Sequence, residues 1–240
     1  PITTLVPQVV GVHLTGELRD GVSAMDAALT FAQMLRAKGV VGKFVECFGD
    51  GVATLSATQR ACIANMTPEY GCTCTLFPVD DRTLEYLLLT GRDKEQVALV
   101  EAYAKAQGMW NDGASRVYSE VLELNLSEVE CSLAGPSRPH DRFARNDARS
   151  RFNAICADRN LDMDKRVAVN FMGTEYELTH GATAIAAVTS CTTATDPAMM
   201  LACGLVAKHA RERGLLAKPW VKRVMAPGSH ATQLMLERAG

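Results

Sequence analysis

The residues best suited to chemistry lie in the stretch 180–197. A run of small and β-branched residues at 184–188 ends in a cluster of hydroxyl groups around one thiol, Cys191, and Asp196-Pro197 then opens a helical pattern. This order predicts a buried strand that delivers a cysteine to a strand-to-helix turn. Backbone amides and the positive helix end at such a turn stabilise an anion or a thiolate. The alternative is a small buried cysteine at the edge of a sheet.

A second candidate site is the end of a predicted helix that Ser56 caps and Pro68 stops. Asn65 falls at the C-terminus of this helix, and Glu69 falls in the turn just beyond it. A carboxylate there faces the negative end of the helix dipole, which is unfavourable unless a cation or a proton compensates. The alternative interpretation of Glu69 is a solvated loop residue.

Both segments resemble a known protein family. The runs VVGKFVECFGDG at 40–51 and IANMTPEYGCTCTLFP at 63–78, with the stretch 180–197 and the short motifs GPSRP and APGS, are similar to aconitases of the cytosolic and bacterial type. The resemblance covers the whole chain. It implies that Cys191 is the first of three cysteine ligands of a [4Fe-4S] cluster. It also implies that Asn65 lies against this cluster and that Glu69 serves the iron-bound hydroxyl or water.

The resemblance further implies a small carboxylic acid as substrate. We expect the imidazole of His180 and the hydroxyl groups of Ser190 and Thr192, which precede and flank the thiol along the chain, to bind it. Dehydration of a citrate-like hydroxyacid needs a Lewis acid on the leaving hydroxyl, a base for the α-proton and cations for the carboxylates. In aconitases the cluster supplies the Lewis acid.

The chain also departs from the family pattern. It contains no Cys-x-x-Cys motif, so two of the three cysteine ligands are absent, and the catalytic serine and several substrate arginines of the family have no counterpart either. Thr193 and Asp196 stand where the family usually has asparagines. These changes remove an amide donor near the cluster sulfurs and add a negative charge there.

Composition limits the class of protein. The 240 residues are 48% hydrophobic with a net charge of −2 and interspersed signs, which argues against a nucleic-acid partner and against a membrane surface. No apolar run approaches eighteen residues, and no charged leader precedes an apolar segment. The eight cysteines are irregularly spaced, which favours reduced thiols and a cytoplasmic location. We expect Cys47, Cys62, Cys72 and Cys74 to be packing residues.

The chain alternates strand and helix patterns, which predicts an α/β fold with mostly parallel sheets covered by helices. The resemblance implies two three-layer α/β/α domains. Periodicity breaks at 109–116, around Trp110-Asn111-Asp112-Gly113, so we predict one domain over 1–112 and a second over 113–240 that carries Cys191 and is possibly truncated.

Three functional hypotheses follow. In the first, the chain is a partial unit or subunit of an aconitase-type hydro-lyase, completed by another polypeptide or by a second copy of itself. In the second, it is a cluster-free enzyme with Cys191 as nucleophile and Glu69 or His180 as acid or base, favoured if the natural reading frame ends near Gly240. In the third, it is a non-catalytic binding module. We favour the first, because Asn65, Glu69 and Cys191 are all in register.

Overall fold

The computed structural model describes residues 3, 5–113, 116–189 and 196–239. These residues form two compact units, 1–145 and 146–240. Each unit mixes strands and helices, and the first contains a parallel four-stranded sheet. The predicted α/β class is therefore confirmed. None of the described helices is both long enough and apolar enough to cross a membrane.

The first unit begins with alternating strands and helices. Its strands are β1 (Val9–Thr15), β2 (Phe44–Phe48), β3 (Cys74–Leu76), β4 (Glu120–Asn125), β5 (Ser132–Ala134) and β6 (Arg142–Ala144). Its helices are α1 (Ala24–Lys38), α2 (Gly51–Thr54), α3 (Ala57–Asn65), α4 (Thr67–Tyr70), α5 (Asp81–Leu89) and α6 (Lys94–Ala106). Two 3₁₀ turns follow, at Leu126–Glu128 and Arg145–Asp147.

The four-stranded sheet of the first unit has the strand order β3-β2-β1-β4, and each pair of neighbouring strands in it is parallel. Strand side chains alternate between the two faces of a sheet. In β1, Val10, Val12 and Leu14 are fully buried and form the core with Phe31 and Leu35 of α1. This core fixes the sheet against the helices that precede the candidate site.

Helix ends in the first unit follow local sequence signals. The predicted capping boxes are both present, at Ser23 with Asp26 on α1 and at Ser56 with Gln59 on α3. Gly39 ends α1 in the left-handed conformation, with φ of 79°. The predicted helix over 81–89 has the bounds of α5, and Asp93 caps α6.

A buried ion pair connects α3 to the start of α5. The Arg60 Nη1 and Nη2 atoms donate to the two carboxylate oxygens of Asp80 at 2.8 and 2.6 Å. Arg60 also donates to the carbonyl groups of Leu55 and Val52 at 3.0 and 2.9 Å. The two charged side chains are only 5% and 11% exposed, so this bidentate pair fixes α3 against its neighbours.

A short hairpin flanks the proline-containing stretch, and residues 135–141 form the loop between its two strands. Strands β5 and β6 pair antiparallel. The backbone N–H of Ser132 donates to Asp26 Oδ1 at 2.7 Å, and Gln33 of α1 donates to the carbonyl of Arg142 at 2.9 Å. The hairpin is therefore anchored to α1 by contacts that are more than 100 residues apart in sequence.

The second unit contains β7 (Arg166–Phe171), β8 (Thr174–Thr179), β9 (Ile185–Thr189) and β10 (Lys222–Ala226), with helices α7 (Ala148–Asp158), α8 (Pro197–Glu212) and α9 (His230–Ala239). Strands β7 and β8 form an antiparallel pair, and β9 and β10 a parallel pair. The rings of Tyr176 and Trp220 meet edge to face at 5.0 Å. Asp196 accepts from the Ala198 N–H and so caps α8.

The compact units divide between Arg145 and Asn146. Strand β4 lies beyond residue 112 and yet pairs with β1 over its whole length, which places it in the first unit. The domain limits of 1–112 and 113–240 stay a prediction.

Candidate functional site

The first candidate segment, from Asn65 to Glu69, links two helices. Asn65 is the last residue of α3, as predicted, and lies at the surface. Glu69 is within α4 rather than in an irregular turn, because Thr67-Pro68 begins a second short helix. Pro68 is tolerated there, since the first turn of a helix does not need its N–H. Glu69 thus lies in the single helical turn just beyond the end of α3, and the expected effect of the α3 dipole on its carboxylate stays a prediction.

Two side chains of α4 and one of β3 bring three buried hydroxyl groups together, and we call them the hydroxyl cluster: Thr67, Tyr70 and Thr75. The Tyr70 hydroxyl is 2.6 Å from Thr75 Oγ1, and Thr67 Oγ1 is 3.0 Å from the same atom. Thr67 Oγ1 also lies 2.5 Å from the carbonyl oxygen of Ala64. Tyr70 is fully buried, and burial raises the pKa of its hydroxyl to about 12. The cluster therefore stays protonated at neutral pH.

The carboxylate of Glu69 has an uncommon environment. Its Oε2 atom is buried and has no hydrogen-bond partner among the described residues. The other buried, unpartnered side-chain atoms among the described residues belong to Tyr118, His140 and Trp220. Of these four side chains, Glu69 is the one that carries a carboxyl group. An unpaired buried acceptor costs about 1–3 kcal/mol. Such a cost is typical of a group that binds something other than its own chain.

A shallow cavity of about 380 Å³ lies next to this segment. Met66, the residue between Asn65 and α4, lines it together with Met25 and Leu29 of α1 and the hairpin loop 134–139. The loop contributes Arg138, whose backbone N–H donates to Asp141 Oδ2 at 3.0 Å. The guanidinium of Arg138 is exposed and makes no hydrogen bond or ion pair with the described residues. Arg138 and Met66 therefore line the same cavity.

A larger cavity of about 530 Å³ lies elsewhere in the first unit, near the C-terminal ends of β1 and β2. His13 and Arg116 line it, and both are already engaged. His13 Nδ1 is 2.6 Å from Glu123 Oε2, and Arg116 Nε is 3.6 Å from Glu46 Oε1. His13 also stacks on Phe48, with ring centroids 5.0 Å apart. Because the side chains of His13 and Arg116 are already engaged by carboxylates, this cavity is a poorer site for a carboxylic acid than the one beside Met66.

The described cysteines do not form a cluster site. Cys47, Cys62 and Cys72 are buried as predicted, Cys74 is half-buried, and none of the seven described cysteines is in a disulfide. Burial raises the pKa of the Cys47, Cys72 and Cys74 thiols, which keeps them protonated. Within the described ranges no three His, Cys, Asp or Glu side chains could hold a metal ion together. The described residues therefore do not fit a [4Fe-4S] cluster.

The remaining predicted site residues belong to the second half of the chain. Ser190, Cys191 and Thr192 lie outside the described residues. His180 follows β8 in the turn before Gly181, is half-buried and belongs to the second unit. Asn65 and Glu69 belong to the first unit. From the sequence, the loop that carries Arg138 could hold anions or be a solvated basic loop, and no local pattern linked Arg138 to Met66.

Comparison with known proteins gives a consistent result. The family model described as "Aconitase family (aconitate hydratase)" matches residues 1–240. The whole chain is 48% identical to Aconitate hydratase A of Legionella pneumophila, 49% identical to that of Escherichia coli K12 and 50% identical to that of Salmonella typhimurium. In each case it spans 27% of the length of the relative.

Proposed function

The chain belongs to the aconitase family, and from that premise we propose that it forms the part of an aconitase-type hydro-lyase that carries Asn65 and Glu69. The reaction is the reversible dehydration of a citrate-like hydroxyacid. The observation that carries the proposal is the Glu69 carboxylate, whose Oε2 atom is buried and has no hydrogen-bond partner among the described residues.

Glu69 is proposed as the acid–base residue. In dehydration its carboxyl group gives a proton to the hydroxyl that leaves as water while the C–O bond breaks, and the α-proton passes to a base that the complementing polypeptide would supply. In hydration its carboxylate takes the proton back from the attacking water, and that base returns a proton to carbon. A proton-transfer group of this kind accelerates the reaction about 10²–10⁴-fold. Asn65, four residues away at the end of α3, is proposed to orient the same oxygen through its amide.

Substrate binding is proposed for His180, Ser190 and Thr192, as the sequence suggested. We add Arg138, because a tricarboxylic acid needs cations and this guanidinium is unengaged beside Met66. Cys191 is proposed as the one thiolate that this chain gives to the family's cluster. Since the described residues do not fit a [4Fe-4S] cluster, its other ligands would come from a complementing polypeptide or from a second copy of this chain. A cytoplasmic location also stays a prediction.

The proposal can be tested by exchange into a relative. Residues 1–240 replace the matching stretch of the E. coli Aconitate hydratase A, and the chimera is assayed for hydration of aconitate and for iron and acid-labile sulfide after anaerobic reconstitution. We expect activity and a cluster. Glu69→Gln should lower kcat about 10²–10⁴-fold with the cluster intact, and Cys191→Ser should remove the cluster.

Two controls make the result decisive. The matching Legionella stretch, inserted in the same way, reports whether a segment of this divergence is tolerated at all. Glu95→Gln removes an exposed carboxylate from α6 and should leave kcat unchanged. A folded chimera with a cluster, in which Glu69→Gln keeps full activity, overturns the proposal. Rapid alkylation of Cys191 at neutral pH in a cluster-free protein would instead favour the nucleophile hypothesis. A protein with neither hydro-lyase activity nor a reactive Cys191 thiol would favour the binding-module hypothesis.

A further inference from the structure

We infer that the hydroxyl group of Tyr70 is a positioning group for the Glu69 carboxylate: with Thr67 and Thr75 it fixes the four-residue helix that carries the carboxylate. The inference rests on the proposed role of Glu69. It adds Tyr70 as a residue that touches neither the substrate nor the [4Fe-4S] cluster and that affects the reaction through the placement of α4.

Helix α4 is too short to be stable by itself. Isolated helices shorter than about 12 residues are marginal in water, because nucleation fixes several residues for one hydrogen bond. Its backbone bonds are those of Glu69 N–H to the Met66 carbonyl and of Gly71 N–H to the Thr67 carbonyl, both at 3.0 Å. The orientation of α4 must therefore come from the side chains that it buries.

Those side chains belong to the hydroxyl cluster. Thr67 and Tyr70 are three residues apart, so they lie on one face of α4, and their exposed fractions are 8% and 0%. Their common partner, Thr75, is in β3 and pairs in register with Val45 of β2. The hydroxyl cluster therefore connects α4 directly to the parallel sheet.

Glu69 lies between these two anchored positions. Its buried Oε2 has no hydrogen bond among the described residues that could hold it in place. The position of this oxygen is then set by the placement of its helix. Catalytic groups must be held within about 0.5 Å of their productive position, so a small rotation of α4 would slow proton transfer. Tyr70 is the cluster member on α4 with the 2.6 Å bond to the sheet.

The test uses Tyr70→Phe and Thr75→Val, which remove a hydroxyl and keep the packing. In the chimera with the E. coli enzyme, we expect Tyr70→Phe to lower kcat about tenfold, the rate equivalent of one hydrogen bond, with KM unchanged. The pH profile of kcat should also shift. The double variant should be no slower than Thr75→Val alone, because Thr75→Val already removes the bond between Thr75 and Tyr70 together with the bond between Thr75 and Thr67.

The matched control is Val129→Ala. Val129 is 1% exposed and follows β4, at the opposite edge of the sheet from β3, so its truncation lowers stability without touching α4. We expect kcat within about twofold of the unmodified chimera. Hydrogen exchange of the 240-residue chain should show at least about tenfold faster exchange of the Glu69 and Gly71 amides in Tyr70→Phe and no change there in Val129→Ala.

The outcomes separate this inference from the proposal beneath it. If Glu69→Gln leaves kcat unchanged, the proposed function fails and Tyr70 has no carboxylate to position. If Glu69→Gln abolishes activity while Tyr70→Phe has the same kcat as Val129→Ala, the positioning inference alone is overturned. Faster exchange in α4 with an unchanged kcat and pH profile assigns Tyr70 a purely structural role and also overturns it.

Discussion

Replacement of Glu69 by methionine should make the protein more stable and less active. Methionine has a similar length and a helix propensity close to that of glutamate. It removes a carboxylate oxygen that is buried and unpartnered. The cost of such an atom is about 1–3 kcal/mol. Because the Glu69 side chain is only half-buried, we take the lower limit and expect a gain of about 1 kcal/mol in the free energy of unfolding.

The assay is urea unfolding of the 240-residue chain, followed by the fluorescence of Trp110. Trp220 is replaced by phenylalanine, because it lies in the second unit and the two units need not unfold together. With an m value of about 2 kcal/mol/M, a gain of about 1 kcal/mol raises the midpoint by about 0.5 M.

The control for Glu69→Met is Glu95→Met, in which an exposed carboxylate in the first turn of α6 is replaced. We expect no gain there and a loss of up to about 1 kcal/mol, since that carboxylate interacts favourably with the helix dipole. A loss of stability in Glu69→Met larger than in Glu95→Met would show that Glu69 is a structural residue, and it would refute our interpretation of its buried oxygen.

Three further predictions concern the frame of the first unit. Asp80→Asn should lower the free energy of unfolding by about 3–5 kcal/mol, because it leaves the Arg60 cation buried without its anion, and an R60M/D80L double variant should recover most of that loss in the same urea assay. Gly51→Ala should cost about 1–3 kcal/mol, because a Cβ there would come within 2.8–2.9 Å of the β1 backbone; an unchanged urea midpoint would contradict this close approach. Burial raises the pKa of Tyr70 and Tyr118 to about 12, so the folded protein keeps protons that the unfolded chain releases from about pH 10. Stability should hold up to about pH 10 and fall as the pH rises towards 12; ultraviolet titration should show two late-ionising tyrosines, and Tyr70→Phe should reduce the loss.

Much of the fold could be predicted from the sequence, because its signals are local. The capping boxes at Ser23 and Ser56 and the bounds of α5 depend on residues three or four positions apart. The hairpin of β5 and β6 could not be predicted in the same way. It depends on Asp26 and Gln33 of α1, whose contacts with the hairpin have no local sequence signal. The prolines marked the loop at 135–141, but they gave no sign of the pairing between the strands on either side of it.

The candidate site could be predicted only in part. Family resemblance identified Asn65 and Glu69, whereas the residues alone indicated a solvated glutamate at the wrong end of a helix dipole. The missing information was the second short helix, which forms because Tyr70 reaches Thr75 on β3. A four-residue helix has no periodicity to detect, so its position depended on a tertiary contact.

Two buried polar side chains of the first unit, Arg60 and Tyr70, bracket the Asn65–Glu69 segment. Arg60 precedes it and holds α3 to Asp80, and Tyr70 follows it and holds α4 to the sheet. Between these anchors the chain carries an exposed amide and a carboxylate with an unpaired buried oxygen, neither of which belongs to the core. A segment that is unfavourable in itself keeps a defined geometry only when its neighbours over-determine it. The stabilising contacts next to the segment are therefore the ones that an acid–base residue at Glu69 requires, and loss of either anchor should reduce the precision of the site before it unfolds the unit.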